Sequence, residues 1–326
     1  MRHRRLLVAL AFALPAACTA DSPSDDPATG GADALEWRAT PTPDLDDLEV
    51  AVGSKAFPEQ EILGWIAVEA LRAAGADVQP EIGLGGTVVA REAELAGLVD
   101  MYWEYTGTGW VELLQQTGPS TDPEELYDEV REVDREENDI AWLEPAPANN
   151  GYSLVAAEST LEALDVQTVE DAVGLLADEE EQVSLCVSRE SGFIDDPSGL
   201  LRLQSTYDVT IPASRITPAD RNELVSLVED GVFCTFAQVV LTSPLLVDAS
   251  VEQLEDPEGA FIVHNPSMTV RVDVLDGHPD VEDVFEEIAP LLTDEQLRVL
   301  NARVEEDDDD PRVVARDWLV DEGLAT

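Results

Sequence analysis

The chain has 326 residues, 44% of them hydrophobic, enough for one large or two ordinary domains and too many for a disordered chain. Its 70 acidic against 18 basic residues give a net charge of −52, a field that repels nucleic acid and anionic lipid. The acids run through the whole chain, which reads as a surface kept hydrated at high salt; a basic partner or an alkaline habitat are the other readings.

Residues 1–18, MRHRRLLVALAFALPAAC, join a basic start to an apolar run from Leu6 to Leu14 that is too short to span a bilayer. Small residues Ala16 and Ala17 precede Cys18, as in a bacterial lipoprotein signal whose cysteine carries the lipid. Pro15 stands where that pattern favours Leu, so an ordinary cleaved signal is the second reading. Residues 19–47 are rich in Pro, Gly, Ser, Thr and Asp and are expected to form a flexible linker. The body is therefore expected outside the cytoplasmic membrane, held to its outer face through the lipid.

From Leu48 onward short strands alternate with amphipathic helices. LEVAVGS predicts a strand, followed by a helix from about Glu59 to Ala74. ADVQPEIGL predicts a second strand, TVVAREAELAG a second helix, and LVDMYWEY a third strand. Repeated βα units predict a largely parallel sheet covered by helices, with ligands at the carboxyl ends of its strands. GSKAF, LGGT and EYTGTG occupy those ends. After a helix around residues 122–136, AWLEPAPANNGYSLV reads as a crossing into a second lobe, where QVSLCVS and GVFCTFAQVV predict further strands. The chain returns through AFIVHNPSMTVRV and closes with three helices; EEDDDD, residues 305–310, reads as a solvated turn.

Cys186 and Cys234 remain once Cys18 is set aside. In an oxidising compartment they suggest one disulfide, with two buried thiols as the alternative. Of the basic residues seventeen are Arg and one is Lys55, which raises the question of whether a compact ammonium is needed there. Histidine occurs only at positions 3, 264 and 278, and no HExxH, CxxC, GxSxG or GxxxxGK[ST] appears. No catalytic residue, cofactor or metal is expected. An exported α/β protein with loop sites and no catalytic set points to a binder and not an enzyme.

Five stretches then carry a resemblance: VGSKAFPEQEIL (52–63), LGGT (84–87), DMYWEYTGTG (100–109), WLEPAPANNGY (142–152) and ARDWLVDEG (315–323). Together they resemble the substrate-binding proteins of osmoprotectant ABC importers, which capture glycine betaine, choline, carnitine and related solutes. The resemblance implies an α/β, two-lobed periplasmic-binding-protein fold, type II-like, with two crossovers between lobes. Residues 48–148 and 258–326 would form lobe I and residues 149–257 lobe II. It also implies delivery of a small zwitterionic or cationic osmolyte to a permease with its ATPase.

A quaternary ammonium is held by aromatic faces, and any carboxylate on it by polar donors. Carried over by motif, Lys55 is a polar contact at the cleft mouth, Tyr105 and Tyr152 are cage walls, and Thr87 and Asn150 offer hydrogen bonds. Arg189 is the candidate for a ligand carboxylate. The pattern is broken in two places: Leu224 and Val225 stand where another aromatic is usual, and His264 replaces a tyrosine. Trp103, Phe193 and Phe261 are the candidates to fill the gap. His264 either contacts the ligand or is a satisfied histidine without contact. Tyr102 and Trp110 read as core. The alternatives are a receptor for a different compatible solute, such as an ectoine-like one, a receptor that only signals, and a secreted enzyme on the same scaffold.

Overall fold

The computed structural model describes residues 34–178, 182–196, 198–229, 231 and 233–326. The signal segment 1–18, the lipidation candidate Cys18 and linker residues 19–33 lie outside the described residues. Among the described residues ten strands form two five-stranded sheets. The first takes β1 (Glu49–Gly53), β2 (Asp77–Glu81), β3 (Met101–Tyr105), β4 (Ile140–Trp142) and, from the end of the chain, β10 (Pro266–Arg271), in the order β2-β1-β3-β10-β4. The second takes β5 (Tyr152–Ala156), β6 (Leu185–Ser188), β7 (Ile216–Ala219), β8 (Phe236–Val240) and β9 (Glu252–Gln253), in the order β7-β6-β8-β5-β9.

Neither sheet is as parallel as the repeated βα units suggest. β1 is parallel to β2 and β3, but β10 runs antiparallel to β3 and β4. In the second sheet β6 is parallel to β7 and β8, while β5 is antiparallel to β8 and β9. The reason is the crossing of the chain. β5 and β10 are the strands entered directly from a crossing, so they start at the edge where their neighbours end. The registers Tyr152↔Val240 and Pro266↔Tyr105 put the first residue of each entering strand beside the last residue of its neighbour.

Each sheet has its own core. The first buries Val50, Val52, Met101 and Trp103 under the helices Pro58–Ala73 and Asp280–Ile288. Pro58 at the first turn of the longer helix needs no hydrogen-bond donor, and Glu59 and Glu61 complement its amino end. Farther along it, buried Glu69 accepts from Arg312 at 2.8 Å and Arg316 at 2.5 Å, tying the closing helix Pro311–Asp321 to it. The second core gathers Leu154, Leu185, Val187, Phe193 and Phe236. On its other face Cys186 and Cys234 form a disulfide with Cα atoms 5.8 Å apart.

The linker expectation needs correcting at its carboxyl end. Residues from Leu35 onward are docked and not loose: Trp37 donates its backbone N–H to Ala73 O at 3.0 Å and bridges to Ala325, while Leu45 and Leu48 are buried. Burial of these large side chains outweighs the turn-forming composition around them. The acidic run near 305–310 turns as expected. Asp309 pairs with Arg303, and Asp310 caps the closing helix by accepting from Arg312 N. No helix of the described residues is long and apolar enough to cross a membrane.

Candidate functional site

The carboxyl end of β1 leads through Ser54 and Lys55 into Phe57, which precedes the helix Pro58–Ala73. Lys55 is 3% exposed, and its Nζ lies 2.5 Å from Oε1 of the fully buried Glu104. Glu104 also accepts from the Tyr102 hydroxyl at 2.9 Å and from the Tyr105 backbone N–H at 2.8 Å. Burial and the nearby Glu104 carboxylate keep the Tyr102 hydroxyl protonated, raising its pKa well above the ordinary value. The Lys55 ammonium stands 5.1 Å from the Tyr105 ring centroid, and Phe57 stacks with the same ring at 6.4 Å.

A second knot forms around Glu59, which is 3% exposed. Its Oε1 accepts from the Tyr105 hydroxyl at 2.7 Å and Asn150 Nδ2 at 2.9 Å, and its Oε2 from Asn301 Nδ2 at 2.8 Å. Asn150 also donates to Thr242 Oγ1 and Asn301 to Thr242 O. Helix Pro58–Ala73, the crossing at 143–151, the end of β8 and helix Asp294–Glu305 therefore converge on one carboxylate. Burial raises the pKa of Glu59 above the ordinary carboxylate value, and the donors aimed at it oppose that rise without cancelling it.

Around this knot opens a cavity of about 740 Å³ between the two sheets. Its walls include Phe57, Glu59, Asn150, Tyr152, Glu190 and Arg221. A smaller cavity of about 200 Å³ shares Asn150, Tyr152 and Val240 and adds Thr108, Glu112 and His264. His264 Nδ1 is 3.3 Å from Thr108 Oγ1. Burial, helped by the Lys55 ammonium, brings its pKa down to about 4, so the ring is neutral at pH 7. Arg221 Nη2 pairs with Glu305 across the larger cavity, linking the second sheet's lobe to helix Asp294–Glu305. Among the described residues no group of His, Cys, Asp and Glu is placed to hold a metal ion.

The residues singled out from sequence fall into three groups. Asn150 and Tyr152 line both cavities, and His264 lines the smaller. Lys55 and Tyr105 sit directly behind the wall, engaged with Glu104 and Glu59. Thr87, Arg189 and Trp103 line neither cavity. Thr87 opens the helix Thr87–Leu95. The Arg189 side chain is exposed, while its backbone N–H donates to Ala219 O.

Trp103 requires correction. It shares the strand face of Tyr105, but it lies two residues deeper, 1% exposed and edge-on to Phe285 at 5.7 Å. That face is covered by helices, and the last residue of β3, Tyr105, is the one that touches the cavity wall, through Glu59. Phe193 and Phe261 are core as well; Phe193 packs edge-on against Tyr152 at 5.2 Å and so fixes that ring. The aromatic the sequence reading missed is Phe57, 37% exposed on the cavity wall. Its place after a strand and before a helix was the available signal. Glu59, Thr242 and Asn301 were also missed.

Residues 49–321 match the family model described as the substrate-binding domain of ABC-type glycine betaine transport systems. The chain belongs to this family. A glycine-betaine-binding protein of Pseudomonas aeruginosa is 30% identical over 271 residues, covering 82% of this chain and 86% of the relative. The glycine betaine-binding protein YehZ of Escherichia coli is 26% identical over 279 residues, 84% of this chain and 90% of its own length. The solved apo structure of YehZ superposes with a TM-score of 0.70 at 25% identity, covering 85% of this chain and 99% of that one. A structure titled as a glycine betaine/carnitine/choline ABC transporter superposes at 0.72 with 16% identity, covering 84% and 99%, and supports the fold alone. The two-lobed periplasmic-binding-protein architecture expected from the resemblance is thus established, in a family of binding domains and not of enzymes.

Proposed function

We propose that the protein is the extracytoplasmic solute-binding component of an ABC importer, taking a quaternary-ammonium osmoprotectant between its lobes and delivering it to a permease served by an ATPase. The observation that carries this reading is the 740 Å³ cavity, whose wall joins the aromatic side chains Phe57 and Tyr152 to the carboxyl groups of Glu59, Glu190 and Glu305, with Arg221 its one cationic side chain. A methylated cation offers no strong hydrogen-bond donor, so aromatic faces and nearby negative charge are what hold it. The names of the relatives favour the same class of solute. Residues 48–148 and 258–326 act as one lobe and 149–257 as the other, hinged where the chain crosses. Cys18 carries the lipid that tethers the protein to the outer face of the membrane.

Calorimetric titration at high salt with glycine betaine, choline, carnitine, proline betaine and ectoine tests the reading. Binding of at least one methylated ammonium compound supports it. Binding of ectoine alone would move the site to another class of solute. A Cys18→Ala variant that stays in the membrane fraction would remove the lipid tether from the account.

A further inference from the structure

The charge lining the cleft carries the assignment of ligand class one step further, on the reading that the cleft receives a quaternary ammonium. The larger cavity has three carboxylates on its wall, Glu59, Glu190 and Glu305, and one guanidinium, Arg221. Arg221 is already paired with Glu305. The only lysine, Lys55, is buried against Glu104 and lines neither cavity, and exposed Arg189 is outside both. Among the described residues, the one cationic side chain on that wall therefore already faces a carboxylate of the protein.

The opposite holds for a ligand cation. Glu59 is 3% exposed, and it accepts from the neutral donors Tyr105, Asn150 and Asn301. The Asn150 and Asn301 amide nitrogens only donate and take one carboxylate oxygen each, which suits the ionised form. Among the described residues Glu59 has no cationic partner and burial raises its pKa, so a cation arriving in the cleft is what would favour its ionised form. Glu190 is likewise met by neutral donors, Ser188 Oγ at 3.0 Å and the Arg221 backbone N–H at 3.2 Å.

We infer that the preferred ligand is a quaternary ammonium of net positive charge without a carboxylate, a choline-type cation, with Glu59 as its buried counter-charge. Phe57 and Tyr152 receive the methyl groups, and a hydroxyl on the ligand finds acceptors in the same wall. A betaine-type zwitterion brings a carboxylate into a cavity whose wall already sets three carboxyl groups against one guanidinium. Discrimination arises from this mismatch as much as from attraction.

The test is paired calorimetry with choline and glycine betaine on the wild type, Glu59→Gln and Glu305→Gln. The wild type is expected to favour choline by about tenfold or more, the scale of one unmatched charge in a partly desolvated site. Glu59→Gln should narrow that ratio by lowering choline affinity. Glu305→Gln, on an ion pair outside both cores whose Arg221 side chain is half-exposed, frees Arg221 and should narrow the ratio by raising betaine affinity. Wild-type affinity for betaine equal to or above that for choline overturns the inference and leaves the quaternary-ammonium reading standing. Ratios unmoved by both substitutions overturn it as well. Failure of both ligands to bind removes the underlying reading, and the inference with it.

Discussion

Replacing Lys55 with Met strands a carboxylate. The Lys55 and Glu104 side chains are 3% and 0% exposed, with 2.5 Å between Nζ and Oε1, so water cannot take over from the missing ammonium. Removing one member of a buried pair generally costs about 3–5 kcal/mol, because the other charge stays behind. Here the Tyr102 hydroxyl and the Tyr105 N–H still donate to Glu104, which places the expected loss near the lower end, about 3 kcal/mol. Adding Glu104→Gln removes the charge, keeps an amide oxygen to accept from the Tyr105 N–H, and sets an NH2 beside the Tyr102 hydroxyl, which can turn to accept from it. The double variant should recover at least about 2 kcal/mol, a coupling of the size seen for residues in one polar network. Urea unfolding at fixed high salt measures both quantities from the shift in midpoint at constant slope. Tryptophan fluorescence is the appropriate probe, since Trp37, Trp65, Trp103, Trp110, Trp142 and Trp318 all lie in the lobe that holds the pair. A loss below about 1 kcal/mol in Lys55→Met would refute the reasoning, because that is the worth of an exposed pair.

His264, whose pKa falls from 6.5 to about 4, resists protonation in the folded state while the unfolded chain accepts the proton. Its contribution is thus present above pH 6.5 and lost toward pH 4, about 2 kcal/mol between pH 7 and 5, and His264→Asn should flatten that part of the wild-type stability profile. An unchanged profile would mean the ring protonates freely. Replacing Cys186 and Cys234 with Ala opens a loop with a sequence separation of 48 and should cost about 2–4 kcal/mol, read by circular dichroism because the tryptophans report the other lobe. Gly107→Ala would set a Cβ 2.6 Å from Val263 O and 2.7 Å from Ile262 Cγ2. It should destabilise by about 1–3 kcal/mol and weaken ligand binding by moving His264; a neutral thermal shift with unchanged affinity would contradict that close approach.

The alternation of strands and helices was readable from hydrophobic period, and so was the placement of the loops after β1 and β3 at the ligand edge. The crossing that carries Asn150 and Tyr152 was readable from its prolines and paired Asn, while the two residues themselves were singled out by the family resemblance. Glu59 was not, since in a chain with 70 acidic residues one more glutamate carries no signal. Its role depends on Asn301, far away in sequence, meeting Thr242 beside it. Trp103 shows a different limit: alternation along a strand gives the face of a side chain but not its depth. Two residues separate a tryptophan packed on Phe285 from Tyr105, which backs the cavity wall through Glu59. Trp37 and Leu45, large apolar residues in an otherwise polar run, were the signs that the linker ends early.

The central claim, that a quaternary ammonium is held between the lobes, is tested most directly by a crystal structure of the protein with choline bound. The account predicts the ligand nitrogen within about 6 Å of the Phe57 and Tyr152 ring centroids, with Glu59 its nearest carboxylate. Choline found outside the cavity shared by these residues, or oriented with its nitrogen away from both rings, would contradict it.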